Sequence, residues 1–210
     1  DFFATVEIAV VWSLLQVIDN PRQDVPLISV LRSPLFGFTP DRLAAIRALQ
    51  KDGDYFDALL LDDSADTQDF LRTLESLRAA ARDETVDVLL WRIYNTCRCE
   101  AVFGAMPGGQ ARRDNLTAFY TYARQMAGAG KKSLFDFTAH LRTLLENGDA
   151  PDLSTRQSAG GVRIMSIHKS KGLEFPIVFL CDLSKRFDPR DVQEPVLVHP
   201  QLGLGVECVD

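Results

Sequence analysis

The residues with the clearest capacity for chemistry lie between Val162 and Leu180, in the run VRIMSIHKSKGLEFPIVFL. Two apolar stretches rich in β-branched residues flank a nine-residue segment, His168 to Pro176, which gathers a histidine, two lysines, a serine, a glycine and a glutamate. The flanks read as buried strands and the segment as a polar, cationic loop at their ends, the place where α/β proteins present chemistry to a ligand. An anionic ligand suits such a loop. Lys169 and Lys171 can meet phosphates, Ser166 and His168 can donate hydrogen bonds, and Gly172 lets a backbone approach closely. Glu174 would repel a phosphate but can accept a hydrogen bond from a sugar hydroxyl. On these residues alone, a strand–loop–strand with solvated lysines is the alternative.

The elements that must position this loop fall into two blocks. Val6, Val10, Val11, Leu14, Leu15 and Ile18 follow helical spacing, and Asn20-Pro21 ends that helix. A short helix is expected from Val25 to Leu31, with Asp24 as its cap and Pro34 beyond its end. Thr39 caps and Pro40 opens another through Ala44, Ile46 and Leu49, after which Asp52-Gly53-Asp54 turns the chain. Further helices are expected over 54–61, 67–81 and 84–96, the second carrying Phe70, Leu71, Leu74 and Leu77. Met106-Pro107-Gly108-Gly109 breaks the pattern before a helix marked by Leu116, Phe119, Tyr120 and Ala123. Ser133 caps the next, which should bury Leu134, Phe137, Leu141, Leu144 and Leu145. The polar stretch from Gly148 to Gly161 is an organisational boundary, and strands are expected beyond it at 162–167, 177–181 and 195–199. The expected fold class is therefore a mainly α-helical block followed by a partial α/β segment with a few strands near the C-terminus.

With 210 residues and 46% hydrophobic content, the chain can bury a core, and its length permits one or two domains. It does not begin with Met and reads as an internal fragment of a longer protein. No run has the length and apolarity to span a bilayer and none has the layout of a signal peptide, so no membrane association is expected. The four cysteines (97, 99, 181 and 208) fit neither a disulfide framework nor paired zinc spacing. Cys97-Arg98-Cys99 reads as two reduced thiols on a helix or its end, in a reducing cytoplasm, and no metal ligands are assigned. The net charge is −6, which argues against a protein that coats DNA, but the charge is unevenly spread. Between Arg156 and Arg190 seven basic residues face three acidic ones, leaving sixteen basic against twenty-six acidic elsewhere. Positive charge gathers around the polar loop, where a phosphate backbone would need it.

Other candidates are weaker. Gly37 before the Thr39 cap, with Arg32 nearby, could bind an anion, although simple capping explains it too. Ala127-Gly128-Ala129-Gly130-Lys131-Lys132-Ser133 is not a phosphate loop: Gln125 stands where the first glycine belongs, Lys132 separates Lys131 from the hydroxyl, and no buried strand precedes it. It reads as a basic interhelical connection. His140 and His199 read as structural, Phe119 and Tyr120 as core, and no arrangement of catalytic nucleophile and base is evident.

The run Ile167-His168-Lys169-Ser170-Lys171-Gly172-Leu173-Glu174-Phe175-Pro176 resembles motif V of the superfamily 1 DNA helicases of the UvrD/Rep/RecB group, and within that group the AddA-type helicase–nucleases. Val17-Ile18-Asp19-Asn20-Pro21-Arg22-Gln23-Asp24, Leu31-Arg32-Ser33-Pro34, Lys51-Asp52-Gly53, Met106-Pro107-Gly108-Gly109 and Leu183-Ser184-Lys185-Arg186-Phe187 resemble the same branch, in the same order along the chain. The resemblance implies that residues 21–155 are a helical 2B-type insertion. Residues 1–20 would flank it and 156–210 would return into the RecA-like domain 2A. It places Ser166 and His168, with Lys169 and Lys171, beside single-stranded DNA, and puts Gly172 and Glu174 at ATP, the glutamate on the ribose. UvrD-type relatives have a Gly-Ile-Gly turn that contacts duplex DNA; Gly37-Phe38-Thr39 replaces it here, so the second glycine is missing.

The resemblance further implies a parent that hydrolyses ATP with Mg²⁺, unwinds DNA from broken ends and cuts it with a separate nuclease domain, in partnership with AddB in the bacterial cytoplasm. Phosphate loop, DExx-type strand and motif VI are missing from the 210 residues, so no catalytic residue is assigned, no cofactor is expected on the fragment, and the fragment alone is expected to be inactive. A helical module that binds protein or duplex DNA, and a fragment of a RecB- or UvrD-type helicase, are the alternative readings.

Overall fold

Val6–Asp19 forms a helix (α1) whose Ile8, Val10, Val11, Leu14, Leu15, Val17 and Ile18 are all buried, pointing to more than one side of the cylinder. A helix apolar on so many sides belongs at the centre of a bundle. The computed structural model describes residues 2–149, 151, 153, 165–171, 175, 177–181, 196–199 and 203–206, in two compact units, 1–159 and 160–210. In the first unit α1 is followed by α2 (Asp24–Arg32), α3 (Pro40–Leu49), α4 (Tyr55–Leu60), α5 (Ala65–Asp83), α6 (Val86–Thr96), α7 (Cys99–Gly104), α8 (Gly109–Gly128) and α9 (Leu134–Asn147). Helix α1 packs against α2, α5, α8 and α9, while α6 and α7 both lean on α8. Phe2, Phe3, Phe119 and Phe137 meet edge-on or tilted, with ring centroids 5.2–6.5 Å apart, and close the core at the start of α1.

Local chemistry sets the helix ends. Thr39 Oγ1 accepts from Arg42 N–H at 3.2 Å, and Ser133 Oγ accepts from Asp136 N–H at 3.1 Å, each satisfying an orphan donor. Asp24 does otherwise than expected. It is the first residue of α2, not its cap, and its carboxylate accepts from Tyr55 N–H at 2.7 Å and from Arg47 at 3.0 Å. It thus serves the open N-terminus of α4, a partner 31 residues away. Four expected core positions also differ. Leu49 is 51% exposed because α3 buries Leu43 and Ile46 instead; Leu144 and Leu145 are half-buried; and Tyr122, rather than Tyr120, is the buried tyrosine of α8.

The short stretches that carried the resemblance are joints of this bundle. Arg22 clamps Asp54 and Asp57 at 2.8 Å each, fixing α4 against the end of α1. Ser33 is buried and donates to Val30 O at 2.6 Å while accepting from Leu35 N–H. Gly109 lies so near the end of α7 that a Cβ there would stand 2.0 Å from Gly104 O.

A buried carboxylate crosses the bundle. Glu7 of α1 is 1% exposed and accepts from Asn115 Nδ2 at 2.6 Å and from the Arg112 guanidinium, both on α8. Burial pushes its carboxyl pKa up, but the Asn115 amide, its own backbone N–H and Arg112 outweigh burial and hold it below the ordinary value.

In the second unit a single helical turn, α10 (Ile167–Ser170), precedes an antiparallel hairpin of β1 (Val196–His199) and β2 (Gly203–Val206), with Val196 opposite Val206 and His199 opposite Gly203. The strand expected at 195–199 is present as β1. The one expected at 162–167 is not: Ile167 opens a helical turn, Met165 and Ser166 are irregular, and 162–164 lie outside the described residues. Nor do residues 177–181 form a strand. Ile177, Val178, Phe179 and Leu180 are 54–83% exposed, and β-branched composition makes a strand only where a partner strand and a covered face exist. The described fold is mainly helical.

This packing makes two testable predictions. The folded-state pKa of Glu7 is depressed, so its contribution is present above the unfolded carboxylate range near 4.5 and is lost as pH falls through the folded value. Urea titrations should show Glu7→Ala costing about 3 kcal/mol at pH 7, with the gap to wild type shrinking on acidification; a gap that does not change with pH would refute the assignment. Gly109→Ala should cost about 1–3 kcal/mol because backbone faces backbone there. Gly128→Ala, with open space around it, should be neutral or stabilising in the same thermal melts.

Candidate functional site

The residues expected to face phosphate fall on one turn. Ser170 N–H donates to Ser166 O at 3.2 Å and Lys171 N–H to His168 O at 3.4 Å, closing α10 and the residue after it. Ser170 Oγ donates to Ile167 O at 2.7 Å, the local side chain-to-backbone bond by which serine competes with extended structure. Ser170 therefore fastens the turn, a role that sequence reading missed; its position three residues after Ile167 was the available signal. Residues three apart on a helical turn are neighbours, so His168 and Lys171 share a face. Both are exposed, as is Ser166. Lys169 lies on the same turn. Gly172 and Glu174 lie outside the described residues.

A turn of this kind can bring an imidazole and an ammonium to a single anionic group, with the hydroxyl of Ser166 one residue before it. It does not fit Mg²⁺, which asks for a near-octahedral set of oxygens. Among the described residues no group of three His, Cys, Asp or Glu side chains could hold a metal ion.

Arg32 belongs to the first unit, where it is the exposed last residue of α2. The segment after it is fully used by capping. Phe38 N–H bonds Leu31 O at 3.0 Å, Gly37 N–H bonds Ser33 O at 2.8 Å with Gly37 at φ 70°, and Thr39 serves Arg42. The 127–133 segment is an interhelical connection, as expected: α8 ends at Gly128, Gly130 turns the chain at φ 97°, and Lys132 O accepts from Val86 N–H at 2.9 Å. His140 is half-buried on α9, and His199 lies on β1.

Cys97 caps the end of α6 and Cys99 opens α7. Burial pushes the Cys97 thiol up to about 11 and the Cys99 thiol higher still, so both are poor nucleophiles. Cys181 is exposed. Limited alkylation at pH 7.5 followed by peptide mass spectrometry should modify Cys181 well before Cys97 or Cys99; early labelling of Cys97 would contradict this packing.

The family described as UvrD-like helicase C-terminal domain matches residues 1–197. Proteins named as the A subunit of an ATP-dependent helicase/nuclease are similar over the whole chain: 42% identity across 220 residues in Acetivibrio thermocellus, 42% across 219 in Desulforamulus reducens and 41% across 224 in Geobacillus kaustophilus. These alignments cover 99–100% of this chain but only 17–18% of each relative, so the chain spans less than a fifth of their length. With the family match extending over nearly all of its residues, the chain belongs to the UvrD-like helicase C-terminal domain family.

Proposed function

We propose that this chain is a segment of an AddA-type ATP-dependent DNA helicase/nuclease that moves along single-stranded DNA and processes broken duplex ends for recombinational repair. The observation that carries the proposal is the joint exposure of His168 and Lys171 on one turn, immediately before Gly172-Leu173-Glu174. Ser166, His168, Lys169 and Lys171 meet the DNA backbone, where hydroxyl, imidazole and ammonium groups can bond phosphate or lie against a base. Arg32 is a lesser candidate for DNA contact from the first unit. Gly172 and Glu174 meet ATP, the glutamate accepting a hydrogen bond from the ribose. Because one short segment then touches both ligands, the occupancy of either changes the free energy of binding the other, which is what a translocase requires.

In this reading residues 21–155 are the 2B-type helical insertion, and 1–20 and 156–210 belong to the RecA-like domain 2A. The exposed Ile177–Leu180 run pairs with strands supplied by the longer protein. Bound ATP supplies the energy of translocation, and ligands for Mg²⁺ come from outside the described residues. AddB is the partner protein, single- and double-stranded DNA are the substrates, and the compartment is the bacterial cytoplasm. No helix among the described residues is long and apolar enough to cross a membrane.

The test is steady-state ATP hydrolysis by the full-length protein with and without single-stranded DNA. Glu174→Ala should raise KM for ATP, and the His168→Ala/Lys171→Ala pair should remove most of the DNA stimulation. Each loss should be about ten- to hundredfold, the scale of a lost hydrogen bond to a charged group. If neither change alters either parameter, the turn is scaffolding and the proposal fails.

A further inference from the structure

The first unit carries a feature that the turn does not explain. An open groove of about 430 Å³ is lined by Trp91, Tyr94 and Asn95 of α6, Arg98 and Glu100 at the start of α7, and Arg113 of α8. We propose that this groove binds single-stranded DNA at a second site, with a base stacked on Trp91 and the flanking phosphates on Arg98 and Arg113. The proposal rests on the helicase reading for the class of ligand, and on separate residues for the site.

Three observations carry it. Trp91 is 55% exposed, an unusual place for an indole, and Tyr120 abuts it at 6.1 Å with the rings inclined by 57°, so the two rings do not stack on each other. Arg98 and Arg113 make no ion pair among the described residues, although eight other pairs are formed there and this unit holds 22 acidic residues against 17 basic ones. Glu100 is the one carboxylate lining the groove, which leaves the lining with a net positive charge. Finally, Arg98 has φ 52°, the only positive φ at a non-glycine residue among those described.

The backbone of Arg98 weighs most. Glycine adopts that left-handed conformation freely, whereas arginine holds it at a cost. The Arg98 side chain makes no hydrogen bond or ion pair among the described residues that would offset the cost, so the fold alone does not account for its presence. Arg113 is also given room: its guanidinium lies over Gly104, where an added Cβ would come within 2.5 Å of Nε. Two unpaired guanidinium groups beside an open aromatic face match a phosphate–base–phosphate unit, since bases stack on aromatic rings and arginines track the backbone. An acidic peptide would satisfy the arginines but offers nothing flat for Trp91. A duplex would hide its bases from it.

The intact chain in a Trp12→Phe background leaves Trp91 as its only indole, since the sequence holds two tryptophans. Titration with a twenty-nucleotide oligothymidylate at low salt should quench Trp91 fluorescence. Arg98→Gly combined with Arg113→Ala should weaken that binding at least tenfold and reduce the salt dependence by about 0.7 per lost phosphate contact. Arg98→Gly alone should weaken binding without lowering the melting temperature, because glycine suits the backbone there, which separates loss of a contact from loss of fold. The His168→Ala/Lys171→Ala pair should leave the quenching intact. No quenching, quenching indifferent to the arginine changes, or equal quenching by a duplex or by polyglutamate would overturn the groove. Oligothymidylate binding that vanishes only with the His168/Lys171 changes, Trp91 being silent throughout, would overturn it too while sparing the helicase reading. Retained quenching with no effect of that pair on DNA-stimulated hydrolysis would do the reverse.

Discussion

A carboxylate in a residue only 1% exposed can stay ionised only where protein donors replace the water it has lost, and Glu7 finds them on α8, 105 and 108 residues away. Arg112 and Asn115 stand three apart, on one face of that helix, so a single orientation of α1 against α8 satisfies the carboxylate. The apolar residues of α1 supply far more free energy, roughly 1.5–3 kcal/mol for each fully buried side chain. That driving force is non-directional, however, and a helix that is apolar on several sides could settle at more than one rotation. Burial gives the bundle its strength; the pairing of Glu7 gives it a register.

The consequences run outward from α8. Held by Glu7 near its start, α8 receives the end of α7 at a distance only glycine tolerates, Gly109 against Gly104 O. That close approach lays Arg113 over Gly104, and the reversal needed to send the chain from α6 into α7 falls on Cys97 and Arg98, the latter in the left-handed region. The groove beside Trp91 is thus set by the same constraint that aligns the core. Its cationic lining lies on an otherwise acidic unit because the neighbouring arginines, Arg92 and Arg112, are committed to Glu84 and Glu7.

Much of the helical block was legible because long amphipathic periods survive any tertiary context. Helices α1 to α6, α8 and α9 stand where spacing and caps put them, with ends displaced by a few residues. Helix α7 was not legible: the reversal before it falls on Arg98, with no glycine or proline to announce it, whereas Asp52-Gly53-Asp54 announces the equally short α4. Asp24 was misassigned for a related reason: its type and position announce a cap, but which helix it serves depends on a contact 31 residues away. In the candidate site the residue types were legible and the local geometry was not. Lysine, histidine and glycine announce an anion-binding segment, whereas the turn that aligns His168 with Lys171 depends on Ser170 bonding back to the carbonyls of Ser166 and Ile167.

The exposed run after that turn bears on how it could work. Ile177, Val178, Phe179 and Leu180 expose 75, 70, 83 and 54% of their surface, four in a row, in a chain whose first unit buries most comparable residues. Four consecutive apolar residues with strong β propensity form a sticky edge unless other strands cover them. If strands from the longer protein pair with this run, they fix the C-terminal end of the segment that Ser166 and Ser170 fix at its N-terminal end, and Gly172-Leu173-Glu174 is held between the two. The affinity of such a segment for two ligands then depends on both anchors, because a free end would absorb as motion the coupling that a fixed end transmits. On that argument the polar turn and the apolar run would be one device, and the coupling proposed for the turn would require the run to be covered.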